Sequence, residues 1–133
     1  MDTRAEKISL LSELISFALV DGELHDKEYD FLYLLSKELE IEKPAFMDLF
    51  RKQDEFIPIK QDFQRILHFY KLALLMYCDN VVHKSEDVSI HLKGIKLGLN
   101  PVAMNRILDI MKAAPNHIVA PEIVICAFQE QLN

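Results

Sequence analysis

The sequence predicts an all-α protein, a compact bundle of about seven helices with an internal pseudo-two-fold repeat. Three observations lead there. Apolar residues recur at helical spacing along most of the chain, no alternating strand pattern of ordinary length occurs, and the few proline and glycine residues fall between the periodic segments. Val81-Val82 and Ile118-Val119 are too short to be strands. With 133 residues, half of them apolar, the chain is expected to form one domain that buries about two-thirds of its unfolded surface.

Ile8, Leu11, Ile15 and Ala18, with Leu14 and Phe17 beside them, predict a first helix over about residues 4–20, stopped by Asp21-Gly22. A second starts near Asp26 and carries Phe31, Leu32, Leu35 and Leu39 on one face. Lys43-Pro44 breaks the chain, and Pro44 suits the first turn of a short third helix through Phe50. Ile57-Pro58-Ile59 is a connector. The fourth helix, from about Lys60 to Cys78, is apolar nearly all round from Phe69 to Met76. Such a helix is normally the central buried one, with Leu72, Leu75 and Met76 in the core. Asp79-Asn80 ends it, and a fifth runs from near Lys84 to Leu97. Gly98 suits a left-handed helix end with Leu99 folding back. Asn100-Pro101 reads as cap and first turn of a sixth helix to about Ala113. After a loop over 114–120, Pro121 opens a seventh over about 121–132, with Ile123, Val124, Ala127 and Phe128 as its apolar face.

The net charge of −6 and the scattering of Lys and Arg disfavour nucleic acid and anionic membrane surfaces as partners. The longest apolar run, Leu72 to Cys78, is far too short to span a bilayer. The charged start lacks the apolar stretch of a signal peptide, so a cytoplasmic location is expected. Cys78 and Cys126 lie within apolar helical patterns and read as buried thiols of a reducing compartment rather than a disulfide framework.

An offset of 58 residues aligns the two halves, about 4–50 and about 60–113. Asp21 meets Asp79, Gly22 meets Asn80, His25 meets His83, Glu28 meets Glu86, Leu39 meets Leu97 and Ile41 meets Leu99, while Pro44 and Pro101 align with a one-residue slip. Gly and Asn are the residue types that most readily take positive φ, so both are expected there.

The paired loops give the candidate site: Asp21, Glu28, Asp79 and Glu86, with His25 and His83 as further donors. In one reading each Glu reaches back to a backbone N–H in a capping box, and each Asp closes a turn. In the other, a divalent metal ion is held. Each Asp follows a helix C-terminus, where the macrodipole is already negative, so a carboxylate placed there twice suggests a compensating cation. Asp and Glu oxygens with an optional imidazole form a reasonable ligand set. If the four carboxylates converge across the pseudo-two-fold, they form one acidic pocket. An EF-hand is excluded, because the twelfth position from Asp21 is Leu32 rather than Glu. The sequence contains no His-Glu-x-x-His, P-loop, Gly-x-Ser-x-Gly or Glu-x-x-His pair, so no enzyme is expected. Cys78 beside His83 reads as a structural thiol. His68, His91 and His117 read as surface or partly buried residues, and Glu38 to Glu42 as a solvated helix end.

The segment Ala18-Leu19-Val20-Asp21-Gly22-Glu23-Leu24-His25-Asp26-Lys27-Glu28, followed by an apolar helix ending in Leu39-Glu40-Ile41, resembles the signature of TerB-like (tellurite-resistance) domains. The resemblance implies a bundle of about seven helices with two-fold pseudo-symmetry and acidic residues clustered at the Asp-Gly loops. Asp21, Gly22 and Glu28 match the first motif, and Asp79 and Glu86 the second, while Asn80 departs from its glycine. It extends from about Glu6 to Phe128. Such domains also occur fused to J-domains and membrane segments; with no His-Pro-Asp and no membrane helix here, the stand-alone form is expected. The implied function is a non-enzymatic binding module in a stress or tellurite-resistance context. The alternative is a protein–protein interaction module with an apolar groove beside the seventh helix and purely structural acidic loops.

Overall fold

Thr3 starts the first helix: its Oγ1 accepts from the Glu6 backbone N–H at 3.2 Å, and Glu6 Oε1 accepts from the Thr3 N–H at 3.1 Å. The computed structural model describes residues 3–20, 22–53, 55–79 and 82–132, apart from the side chains of 130–132. It is all-helical, with no strand among the described residues. The chain divides into two compact units, Met1–Ile57 and Pro58–Asn133. The first holds α1 (Arg4–Ala18), α2 (Asp26–Glu38) and α3 (Lys43–Arg51). The second holds α4 (Asp62–Tyr77), α5 (Lys84–Lys96), α6 (Pro101–Ala113) and α7 (Pro121–Leu132), with a 3-10 turn at Pro115–His117 before α7. No helix among the described residues is long and apolar enough to cross a membrane.

In the first unit α1 packs against α2 and α3. Leu11, Leu14, Ile15, Phe17 and Ala18 are buried, and so are Ser9 and Ser12. The Ser9 hydroxyl ties the connector back onto α1, its Oγ accepting from the Ile57 N–H at 2.7 Å. Phe46 of α3 is fully buried among Tyr29, Tyr33 and Phe50, with centroid distances of 5.8, 5.9 and 5.2 Å. The last contact is edge-on, the geometry the ring quadrupoles favour.

In the second unit α4 buries nine residues, Leu72, Leu75 and Met76 among them, as its apolar run predicts. They cover one arc wider than half the helix, from His68, Leu72 and Leu75 through Met76, Phe69, Ala73 and Ile66 to Tyr70 and Tyr77. The helix α7 packs against both α4 and α6, and Phe128 meets Phe69 edge-on at 5.9 Å. Tyr70 Oη holds the approach to α7 by donating to Val119 O at 2.7 Å and accepting from Val119 N–H at 3.0 Å. Val124, Ala127 and Phe128 form the buried face of α7, but Ile123 is 51% exposed. It stands one residue before Val124, about 100° round the helix, outside the buried arc. The thiols also depart from expectation: Cys78 is half-buried and Cys126 exposed. Cys126 follows Val124 by two residues and so faces away from the α7 core.

Both α2 and α5 end in the same way. Ile41 N–H donates to Ser36 O at 2.9 Å and Glu40 N–H to Lys37 O at 3.0 Å; 58 residues later, Leu99 N–H donates to Gly94 O at 3.0 Å and Gly98 N–H to Ile95 O at 2.9 Å. This double pattern requires a left-handed residue, Gly98 at φ 80° in α5 but Glu40 at φ 58° in α2. A glutamate there costs about 1 kcal/mol that glycine does not. Glu40→Gly is therefore expected to stabilise the protein by about 1 kcal/mol, and Gly98→Ala to destabilise it by a similar amount, read as shifts of the urea midpoint. An unmoved midpoint for Glu40→Gly would mean that the left-handed end costs glutamate nothing. Gly22, at φ 85°, has the expected positive φ; Asn80 lies outside the described residues.

Candidate functional site

Two helix starts carry the sequence-derived candidates, and within each unit they are built alike. His25 is the N-cap of α2 at φ −85°, ψ 152°, and His83 the N-cap of α5 at φ −82°, ψ 146°. In the first unit Glu28 Oε1 accepts from the His25 N–H at 3.1 Å; in the second, Glu86 Oε1 accepts from the His83 N–H at 3.3 Å. Both glutamates are nearly inaccessible, at 1% and 2% exposure. Each side chain sits at a helix N-terminus, where orphan N–H groups and the positive end of the macrodipole offset the cost of burying its oxygens. One oxygen of each glutamate is thus committed to the first turn of its own helix.

Asp21 lies outside the described residues. Asp79 follows the C-terminus of α4, half-buried like His83. A carboxylate oxygen of Asp79 and a ring nitrogen of His83 lie within 4.8 Å of each other, a span that one cation can bridge.

His83 also lines an open groove with Tyr77, Val82, Lys84, Asp87 and Lys112. Tyr77 is the groove's apolar wall and its anchor: Oη donates to Leu108 O at 3.2 Å, and the ring stacks on His117 at 4.9 Å. Burial raises the Tyr77 hydroxyl pKa, with the Asp87 and Asp109 carboxylates adding to the shift, so it remains a neutral donor. His117 Nδ1 is hydrogen-bonded to Met111 O at 3.0 Å.

Sequence reasoning missed Tyr77, Asp87 and Lys112. They come from three helices, and Tyr77 carries no signal beyond the apolar period of α4. His68 differs most from expectation: it lies in the core at 3% exposure, and burial, followed by the Lys71 and Lys93 charges, pushes its pKa down to about 3. The ring is therefore neutral at physiological pH. His91 goes the other way, its pKa raised by hydrogen bonds to the Asp87 carbonyl and the Asn105 side chain.

Comparison of the chain with protein-family models, with curated proteins and with solved structures finds no match.

Proposed function

We propose that this chain is a non-enzymatic binding module of the TerB-like kind whose loop before α5 binds a divalent metal ion, with the like-spaced loop before α2 as a second candidate. The supporting observation is the Asp79–His83 pair, a carboxylate oxygen and an imidazole nitrogen within 4.8 Å at the start of α5. Asp21 and His25 repeat the four-residue spacing in the sequence of the first unit, and Gly22 takes the positive φ that the repeat requires. In this reading both loops descend from one duplicated helix–loop–helix. Glu28 and Glu86 hold the helix starts, and Asp79 and His83 face the ion. A mixed oxygen and nitrogen donor set suits zinc or manganese better than magnesium, which prefers oxygen and keeps its waters. Tellurite resistance or a related stress response is the biological setting implied by the resemblance that Asp21, Gly22 and Glu28 carry.

The test is a thermal melt after chelator treatment, with zinc, manganese, calcium or magnesium added in turn. Zinc or manganese is expected to stabilise the protein by about 1.4 kcal/mol at tenfold excess over its dissociation constant. Asp79→Asn combined with His83→Ala is expected to reduce the ion retained in equilibrium dialysis. A melt that none of the four ions moves would leave the loops with turn and capping chemistry alone.

A further inference from the structure

The helix α5 is apolar on two opposite faces. Its inner face, with Ile90, Gly94 and Leu97, is buried together with Glu86. On the outer face Val88, Leu92 and Ile95 stand 52%, 55% and 56% exposed. A surface helix of a self-sufficient domain carries polar residues there. The steps of four and three between these residues place them in one seam along the helix axis, the spacing by which a helix receives a second helix.

The residues flanking the seam identify the occupant. Lys84 and His91 border it on one side, Ser89 and Lys96 on the other, so its flanks carry no carboxylate although the chain has a net charge of −6. His91 Nδ1 lies 2.7 Å from Asp87 O and Nε2 lies 2.8 Å from Asn105 Oδ1. Both ring nitrogens are thus committed within the protein, which leaves the two lysines as the charges that the flanks present. The Asp87 carboxylate, 3.8 Å from His91 Nδ1, lies one step further round the helix, away from the seam. A second copy of α5 would set Lys84 and Lys96 among their own like charges, with no carboxylate on the flanks to meet them.

We propose that the outer face of α5 docks an amphipathic partner helix whose apolar seam is flanked by carboxylates. Val88, Leu92 and Ile95 fill the partner's seam, while Lys84 and Lys96 pair with its acids and fix its register. The residues that form this seam are not those offered to a cation at Asp79 and His83, so either reading can fail alone. The helix α7 offers no rival surface, because Ile123 stands there without a second large apolar residue exposed one turn away among those described.

The probes are two labelled synthetic helices of about four heptads, identical in their leucine and isoleucine seam, one with Glu and one with Lys at the flanking positions. Fluorescence polarisation is expected to show the Glu helix binding at least about tenfold more tightly than the Lys helix, with the difference shrinking at high salt. Leu92→Ser, at an exposed position, is expected to weaken binding about tenfold without moving the thermal melt. Lys84→Glu with Lys96→Glu is expected to reverse the preference. Equal binding of the two helices, or binding of neither, would overturn the proposal. So would a concentration-dependent dimer in sedimentation that Leu92→Ser abolishes, since the face would then be covered by a second copy.

Discussion

Between pH 6.5 and pH 4 the folded protein is expected to lose about 3 kcal/mol of stability through one side chain, His68. The imidazole is buried on α4 beside Leu72 and Leu75, and its pKa falls from 6.5 in the unfolded chain to about 3 in the folded one. Below pH 6.5 the unfolded state therefore takes up a proton that the folded state refuses. Stability is intact above 6.5, declines by about 1.4 kcal/mol per pH unit below it, and levels off only near pH 3. The raised pKa of His91 acts with the opposite sign, being stabilising at low pH and lost as pH rises. The measurement is thus a difference between proteins: urea unfolding of wild type and His68→Gln at half-unit steps of pH. The variant is expected to be less stable near neutrality and to show a flatter pH slope. Parallel profiles would mean that His68 is protonated in the folded state, and the burial argument would fail.

The seven helices are legible because their ends are local chemistry. Asn100 reads as an N-cap, and its Oδ1 accepts from the Val102 and Ala103 N–H groups at 2.8 and 3.2 Å; Gly98 reads as a left-handed end, and it is one. Glu40 was not legible as the same kind of end. Its surroundings look like a solvated acidic run, and its φ is set by the need to return Ile41 to the core. His68 was hidden for a related reason. In a helix that is apolar nearly all round, a lone polar residue gives no sign of whether its side is covered, and the helices packed against α4 decide it. At the candidate site, the three-residue steps His25–Glu28 and His83–Glu86 already encode the capping contacts. The groove beside His83 is not encoded, because Lys112 reaches it from α6. The seam on α5 is present in the sequence as Val88, Leu92 and Ile95. Only the burial of Ile90 and Gly94 on the other side shows which of the two apolar faces is spare.

Gly94 is the position where a normally favourable substitution is expected to do harm. Replacing a helix-interior glycine by alanine usually stabilises by about 1 kcal/mol. Here a Cβ would stand 2.0 Å from Met104 Sδ, and 3.2 Å from both Met104 Cε and Phe69 Cε1. Met104 and Phe69 are themselves buried, so the thioether has little room to retreat. Overpacking of this kind costs about 1–3 kcal/mol. Gly94→Ala is therefore expected to destabilise the protein by about 1 kcal/mol net, and a larger side chain such as leucine to prevent α5 from seating against α6. The sign should depend on Met104. In a Met104→Ala background, itself destabilised by about 2–5 kcal/mol, the alanine at 94 enters vacated space, and the same substitution is expected to become neutral or stabilising. A double-mutant cycle by urea denaturation measures this. If Gly94→Ala stabilises the otherwise wild-type protein, the methionine yields freely, and the glycine is not what allows α5 and α6 their close approach.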